Sequence, residues 1–267
     1  MRKKVWFGTA GDMRWVPAPL ANYQGASVRW REVDQYLNGG AAVRQSVASH
    51  QELSLSWAVQ STENLAPVVA LLHSPGPFYY VDPIAARANI VPSYWASPEV
   101  WLHDGPPLIS RVTPTKVAGT STNGYPATSV KYSVTKATDT NLRIPVPEGH
   151  TLHLGVHGTG GTYKLNTRTA KGPLTAASST RTNLTINGPV IANLKVAAAV
   201  SDAVITGIVA QVLPTGETPQ PGGFLPGRGT TELALSGDPS ITSYSVGIPN
   251  AQQGIAADFV EVGAWLQ

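Results

Sequence analysis

A proline-spaced aromatic segment, Gly76–Pro98, constrains the fold of this chain more than any other stretch of its sequence. Each proline fixes its own φ angle and keeps the preceding residue extended, so the prolines determine where the segment can bend. The segment carries five aromatic rings in two groups: Phe78, Tyr79, Tyr80, Tyr94 and Trp95. We expect so much aromatic surface to be buried in the core of its own domain or covered by another subunit.

The composition indicates a globular β protein. Hydrophobic residues make up 42% and charged residues 13% of the 267 residues, which is typical of a chain with a packed core. The 26 glycines and 22 prolines follow no collagen-like period, so they predict many short strands joined by turns. The length suits one large β domain or two ordinary domains.

The charges are few and scattered, which argues against nucleic-acid binding. Residues 1–109 hold eight basic and eight acidic residues, and residues 110–267 hold eleven and eight. The eleven basic residues of the second part are scattered singly along the sequence. They form no run of Lys and Arg that could follow a phosphate backbone. The absence of cysteine excludes disulfides, thiolate metal sites and cysteine nucleophiles. Because no long apolar run follows the basic N-terminus, we expect neither a signal peptide nor membrane insertion.

The first part of the chain predicts strands around one short helix. Residues Glu52–Val59 alternate, with Leu53, Leu55, Trp57 and Val59 on one face. We then expect a helix capped by Asn64, with Pro67 in its first turn and its end at Pro75-Gly76. It is the only helix that the sequence predicts, and the first domain would span residues 1–109.

Residues 110–267 predict a second domain with about eight strands, a β-sandwich or jelly roll. Alternating residues indicate strands near 130–134, 142–146, 151–157, 184–186, 208–213, 233–235, 244–246 and 259–266. Pro145 and Pro147 restrict their strand to an edge of its sheet. Residues 216–230 interrupt the pattern with a long loop anchored by Phe224 and Leu225, which predicts either a functional or interfacial loop or a surface excursion.

No catalytic constellation stands out, so we predict no enzyme activity, no metal site and no cofactor. His153 and His157 share one face of a strand but lie about 13 Å apart, too far to bind one ion. The acidic residues are isolated in the sequence, but two of them can still lie close together in the folded chain. A glycan hydrolase, which needs such a pair of carboxylates, is therefore a third possibility. Tyr125 and Tyr163 follow turns, and we name them as weak candidates for stacking on a glycan.

The segment Gly76–Pro98, the strand at 53–59 and its following helix resemble the minor tail proteins of siphophages that infect actinobacteria. The similarity is to the distal tail protein class in particular, and IPVPEGHTLHLGVHG at 144–158, PGRGTTELAL at 226–235 and the closing VEVGAWL extend it over nearly the whole chain. None of these motifs is catalytic, so the resemblance concerns architecture and role.

The resemblance implies an N-terminal β-barrel-like domain that forms a ring, with six copies by analogy, at the end of the tail tube. It also implies a C-terminal jelly roll similar to galectin-like or carbohydrate-binding modules. The expected partners are other copies of the chain, the tail tube protein, the end of the tape measure and the tip or hub proteins. Phe78, Tyr79, Tyr80, Tyr94 and Trp95 then become candidate subunit-interface residues.

Two hypotheses follow. The first is a structural virion protein of the tail tip, made in the host cytoplasm, that joins the tail tube to the tip and assists host attachment. The alternative is a carbohydrate-binding adhesin in which residues 110–267 contact glycans of the host cell wall.

Overall fold

A computed structural model describes residues 4–28, 31–35, 41–45, 50–97, 107–119, 124–169, 172–176, 184–219, 224–230, 232–243 and 252–262. Its helices are α1 (Thr62–Leu72), α2 (Pro83–Arg87) and α3 (Ser93–Ala96). The first strands are β1 (Lys4–Thr9), β2 (Asp12–Pro17), β3 (Leu20–Val28), β4 (Arg31–Gln35), β5 (Ala41–Gln45), β6 (His50–Ser61) and β7 (Phe78–Val81). The middle strands are β8 (Thr115–Ala118), β9 (Thr128–Val134), β10 (Thr138–Val146), β11 (His150–Thr159), β12 (Tyr163–Thr169), β13 (Gly172–Ala176), β14 (Leu184–Asn187), β15 (Val190–Val196) and β16 (Val200–Pro214). The last are β17 (Leu233–Leu235), β18 (Ser240–Ser243) and β19 (Gln252–Glu261).

The fold is mainly β and antiparallel, as the sequence predicts. The largest sheet, called here the large sheet, has the strand order β2-β1-β7-β17-β19-β6-β3, and β18 pairs with β19. Its central strands β17 and β19 come from the end of the chain and lie between β7 and β6. The large sheet therefore contains strands from both sides of the division predicted at residues 109/110, and the strands of 233–261 do not belong to a separate sandwich.

The large sheet curls around a hydrophobic core but does not close. The rings of Phe7 on β1 and Trp57 on β6 lie 5.8 Å apart, although three strands separate β1 from β6 in the sheet. Trp57 also donates its indole N–H to the carbonyl oxygen of Pro17, at 2.9 Å. None of the described sheets is a closed barrel, so the barrel-like architecture expected from the resemblance is not seen.

The described residues contain three helices, where the sequence predicts a single one. Helix α1 begins at Thr62, so Asn64 is not its N-cap and Pro67 lies beyond the first turn. Leu65, Val68 and Leu71 of α1 are buried in the core of the large sheet. Helices α2 and α3 are short, and both lie within the proline-spaced segment, whose turns pack against β16.

Strands β8–β16 form a two-sheet module with the orders β14-β11-β16-β9-β8 and β10-β15-β12-β13. The pairs are nested: β9 pairs with β16, β10 with β15, β11 with β14, and β12 with β13. Both sheets contribute buried side chains to one core, which also includes Trp6, Val81 and Trp95 from outside the module. The two-sheet module and the large sheet therefore share buried residues where they meet.

The alternation predicted for β6 is confirmed for Leu53, Leu55 and Trp57, which are buried, while Val59 at the end of the strand is exposed. The edge position predicted from Pro145 is also confirmed, since β10 ends its sheet. The strand predicted at 244–246 and residues 263–266 of the last strand lie outside the described residues. In the described part of the chain, no helix has the length and apolar character needed to span a membrane.

Candidate functional site

The five aromatic residues predicted at a subunit interface are buried inside the chain. Phe78, Tyr79 and Tyr80 form β7, and Tyr94 and Trp95 lie on α3; none is more than 6% exposed. Of the two alternatives that the sequence allows, the structure shows burial in the chain's own core. The five rings therefore offer little surface to a second subunit.

Strand β7 is buried because it is an inner strand with packed residues on both faces. On one face the ring of Phe78 stacks on that of Phe7, with centroids 5.7 Å apart, and meets Phe259 edge to face. On the other face, Tyr79 donates its hydroxyl hydrogen bond to Oε1 of Glu232 at 2.7 Å. Strand β7 therefore contacts the core of the large sheet through Phe78 and the polar residue Glu232 through Tyr79.

Glu232 lies at the centre of a buried polar cluster that joins the large sheet to the two-sheet module. Arg143 on β10 forms an ion pair with Glu232, and these side chains are only 15% and 11% exposed. Nearby, Tyr94 donates a hydrogen bond to Oε2 of Glu261 at 3.1 Å. Burial, followed by the negative charge of Glu232, raises the pKa of Tyr79, so its hydroxyl stays protonated and remains a donor.

Asn89 attaches the segment between α2 and α3 to strand β16. The side chain is fully buried and makes four hydrogen bonds. Its Nδ2 donates to the carbonyl oxygens of Ile208 (3.0 Å) and Leu225 (2.8 Å), and its Oδ1 accepts from the amides of Val91 (3.2 Å) and Ala210 (3.0 Å). Because both ends of the amide are satisfied, Asn89 fixes the position of this segment.

The loop that interrupts the strand pattern is interfacial within the chain over its described residues, 216–219 and 224–230. The backbone amide of Arg228 donates to the carbonyl oxygen of Asn89 at 2.9 Å. A Cβ at Gly229 would overlap the carbonyl oxygen of Ile90, so only glycine permits this close approach. The loop therefore covers the segment that Asn89 anchors. The sequence predicts either a functional or interfacial loop or a surface excursion, and the described residues of the loop are interfacial.

The two tyrosines named as glycan candidates are buried. The ring of Tyr125 lies 3.9 Å from that of His157 and 5.4 Å from that of Phe224, and burial raises the pKa of Tyr125 to about 12. The hydroxyl of Tyr163 is hydrogen-bonded to that of Tyr132 at 2.7 Å. Neither ring presents an open stacking platform, because each turn folds back onto the two-sheet module.

The three histidines of β11 have separate surroundings. His150 lies against Trp15, with ring centroids 5.7 Å apart, while His157 packs on Tyr125. Partial burial of the imidazole lowers the pKa of both His153 and His157, although His157 keeps an exposed face. Over the described ranges, no three His, Asp or Glu side chains are grouped closely enough to hold a metal ion.

A groove with a mostly apolar lining lies between the large sheet and the two-sheet module, and no pattern in the sequence indicates it. Its volume is about 220 Å³, and its lining comes from β1, β2, β7, α2, β11, β16 and the turn before β11: Lys4, Trp6, Trp15, Val81, Pro83, Ala86, Arg87, Pro147, His150, Val212 and Pro214. Trp15 is 43% exposed, which is high for an indole ring. Chemically, the groove can bind a flat apolar group beside positive charge.

A second, polar cavity of about 240 Å³ lies beside β9. Two of the charged groups that line it are paired with each other, since Nζ of Lys131 lies 3.2 Å from Oδ1 of Asp202. The positive φ of Asp202, 57°, belongs to an irregularity in the pairing of β16 with β9, and its amide donates to Oγ of Ser133. These contacts account for the backbone conformation at Asp202.

Comparison of the chain with protein-family models, with curated proteins and with solved structures gives no match.

Proposed function

We propose that the chain is a structural protein of a phage tail tip: a distal or minor tail protein that forms a ring joining the tail tube to the tip. The sequence resemblance motivates this proposal. The single structural observation that supports it is the pair of exposed apolar residues on two neighbouring strands of the large sheet, Leu20 and Val59.

Leu20 and Val59 lie on neighbouring strands at one end of the large sheet. Leu20 begins the edge strand β3 and is 73% exposed, and Val59 on β6 is also exposed. Leu20 pairs with Ser56, whose side chain is exposed as well, so both point away from the core. Exposed apolar residues beside a sheet edge are typical of protein–protein contacts, and we assign this contact to a second copy of the chain.

A ring requires a head-to-tail interface, in which two different surfaces meet. In this proposal the edge of the large sheet at Leu20 is one of the two surfaces. The buried aromatic segment has a different role from the one expected: it joins the large sheet to the two-sheet module through Asn89 and Glu232. A rigid joint of this kind suits a protein that holds its place in an assembly.

We further propose that the two-sheet module is a jelly roll. Nested pairing of β9 with β16, β10 with β15, β11 with β14 and β12 with β13 is the pairing of one long hairpin. In this hairpin the nested pairs alternate between the two sheets, which is the arrangement of a hairpin rolled into a double-sheet jelly roll.

The proposed location is the virion, at the tail tip, after synthesis in the host cytoplasm. The proposed partners are further copies of the chain, the tail tube protein, the end of the tape measure and the tip or hub proteins, and the proposed role is not enzymatic. Glycan binding by the module remains the alternative prediction, but the burial of Tyr125 and Tyr163 removes the two rings on which it depended.

Size-exclusion chromatography with light scattering, followed by electron microscopy of the same fractions, tests the proposal. We expect the full chain to form rings whose population grows with protein concentration. Leu20→Glu should shift the chain towards monomer, whereas Ile241→Glu, a change at another exposed apolar residue on β18, should leave assembly unchanged. A chain that stays monomeric at high concentration and is missing from purified virions would refute the proposal.

A further inference from the structure

We propose that the groove beside Trp15 is a binding site for a single aromatic ring that carries a carboxylate. This inference is independent of the proposed role in a phage tail. It depends on the size of the groove, on the character of its lining and on the charges at its rim.

The size of the groove selects a ligand with one ring. A buried apolar cavity of about 150 Å³ is large enough for benzene, and drug-sized sites begin at about 300 Å³. The groove, at about 220 Å³, lies between these values. It therefore has room for one six-membered ring with a small substituent.

The lining selects an apolar, flat ligand. Trp6, Val81, Ala86 and Val212 supply hydrophobic surface, and three prolines add to it. Sugar hydroxyls would need hydrogen-bonding partners on all sides, but no carboxylate, amide or hydroxyl side chain lines the groove in the described residues. An aromatic ring loses no hydrogen bonds there, and it can stack on the exposed indole of Trp15.

The charged residues of the groove select an anion. Lys4 lines the groove and forms no ion pair within the described parts of the chain. Arg87 also lines it and is 65% exposed; one of its nitrogens lies 3.4 Å from Glu217, which leaves other donors of the guanidinium for a ligand. The ring of His150 stands beside Trp15, with its Nδ1 near the carbonyl oxygen of Glu148 at 3.1 Å. A carboxylate on the ring would therefore meet two cations, and an arginine can bind it through two parallel hydrogen bonds.

Ligand-observed NMR and calorimetry on the full chain test this inference with four probes. Benzoate carries both the ring and the charge, benzamide only the ring, and acetate only the charge. N-acetylphenylalanine presents the same chemistry as the carboxyl terminus of a peptide. We expect benzoate to bind at least roughly tenfold more tightly than benzamide or acetate, a difference of about 1.4 kcal/mol. Tighter binding of N-acetylphenylalanine than of benzoate would identify a peptide terminus as the source, and the reverse would identify a free aromatic acid.

Variants of the groove locate the binding. Trp15→Ala should weaken benzoate binding by roughly tenfold, because it removes the ring on which the ligand stacks and the apolar surface that the indole buries. Trp15→Phe keeps a ring in place and should stay within about threefold of the original affinity. Lys4→Gln and Arg87→Gln should each weaken binding by roughly two- to fivefold, as expected for an exposed ion pair. Ile241→Ala and Lys116→Gln, at positions outside the groove, serve as controls for lost apolar surface and lost charge.

Three results would overturn the inference. They are no binding of benzoate, equal binding of benzoate and benzamide, and equal weakening of binding by the groove variants and the two controls. Because assembly of the chain is measured separately, each of these results leaves the proposed role in the phage tail unchanged.

Discussion

At the scale of single residues, Glu232 is a buried charge whose removal should cost stability. Its carboxylate accepts a hydrogen bond from Tyr79 and pairs with Arg143, and all three side chains are largely buried. The net contribution of such a pair is small, since two charges had to leave water when it formed. Removing one partner is different, because the other charge then stays buried without compensation.

We therefore expect Glu232→Ala to lower the free energy of unfolding by about 3 kcal/mol. Urea denaturation followed by circular dichroism measures this change. Lys131→Gln is the matched control, because it breaks the more exposed pair with Asp202 and should cost less than about 1 kcal/mol. Equal losses in the two variants would show that the cluster around Glu232 is no more sensitive than a surface pair.

The lowered pKa values of His153 and His157 predict that the folded chain loses stability in mild acid. Burial lowers the pKa of both in the folded chain, so the unfolded chain binds protons first as the pH falls below the ordinary value of about 6.5. The stabilisation is present above that pH and is lost below it. The free energy of unfolding should therefore fall between about pH 7 and pH 5.5, and it should fall less steeply in a His153→Gln, His157→Gln variant. An unchanged slope in this variant would contradict the prediction.

At the scale of elements, strands with one buried face could be predicted and the short helices could not. Alternation identified β6 because Leu53, Leu55 and Trp57 all point into one core. Helix α2 is only five residues long, too short for a helical period, although Asp82 caps it and Pro83 occupies its first turn. The sequence Asp-Pro is typical of a helix start as well as of a turn, so the dipeptide alone does not distinguish the two.

The position of Pro67 inside helix α1 predicts that replacing this proline stabilises the helix. Pro67 lies past the first turn and cannot donate to the carbonyl oxygen of Glu63. Proline inside a helix costs about 3 kcal/mol relative to alanine, and the rigidity that it gives the unfolded chain offsets about 1 kcal/mol of this. We therefore expect Pro67→Ala to raise the free energy of unfolding by about 2 kcal/mol. Thermal denaturation measures it, with Asn64→Ala on an exposed position of the same helix as control; a lower melting temperature for Pro67→Ala would contradict the expectation.

At the scale of the whole molecule, the sequence indicated the strands but not the sheet to which they belong. Nothing in the alternation of residues 233–261 distinguishes them from the strands of the two-sheet module, because local patterns report burial and not the identity of the partner strand. The groove was unpredictable for the same reason. Its lining residues are each ordinary in their own segment, and only the packing of the large sheet on the module brings them together.

The shared sheet predicts that residues 1–109 do not fold alone. Strands β6 and β7 would lose the two strands, β17 and β19, that lie between them in the large sheet. We expect a fragment of residues 1–109 to show no cooperative unfolding transition, whereas the full chain shows one. Denaturant titrations of both, followed by tryptophan fluorescence, make the comparison. A cooperative transition in the fragment would favour the independent first domain that the sequence predicts.

The late arrival of β17 and β19 also matters while the chain is being made. The ribosome completes every strand of the two-sheet module before it reaches residue 233, so the module has all of its pairing partners early. Strands β6 and β7 emerge before that module, and β7 must wait for β17 and β6 for β19 before their pairing is complete. Until then one edge of β6 and one edge of β7 lack their pairing partners, and unpaired strand edges make a nascent chain prone to aggregation.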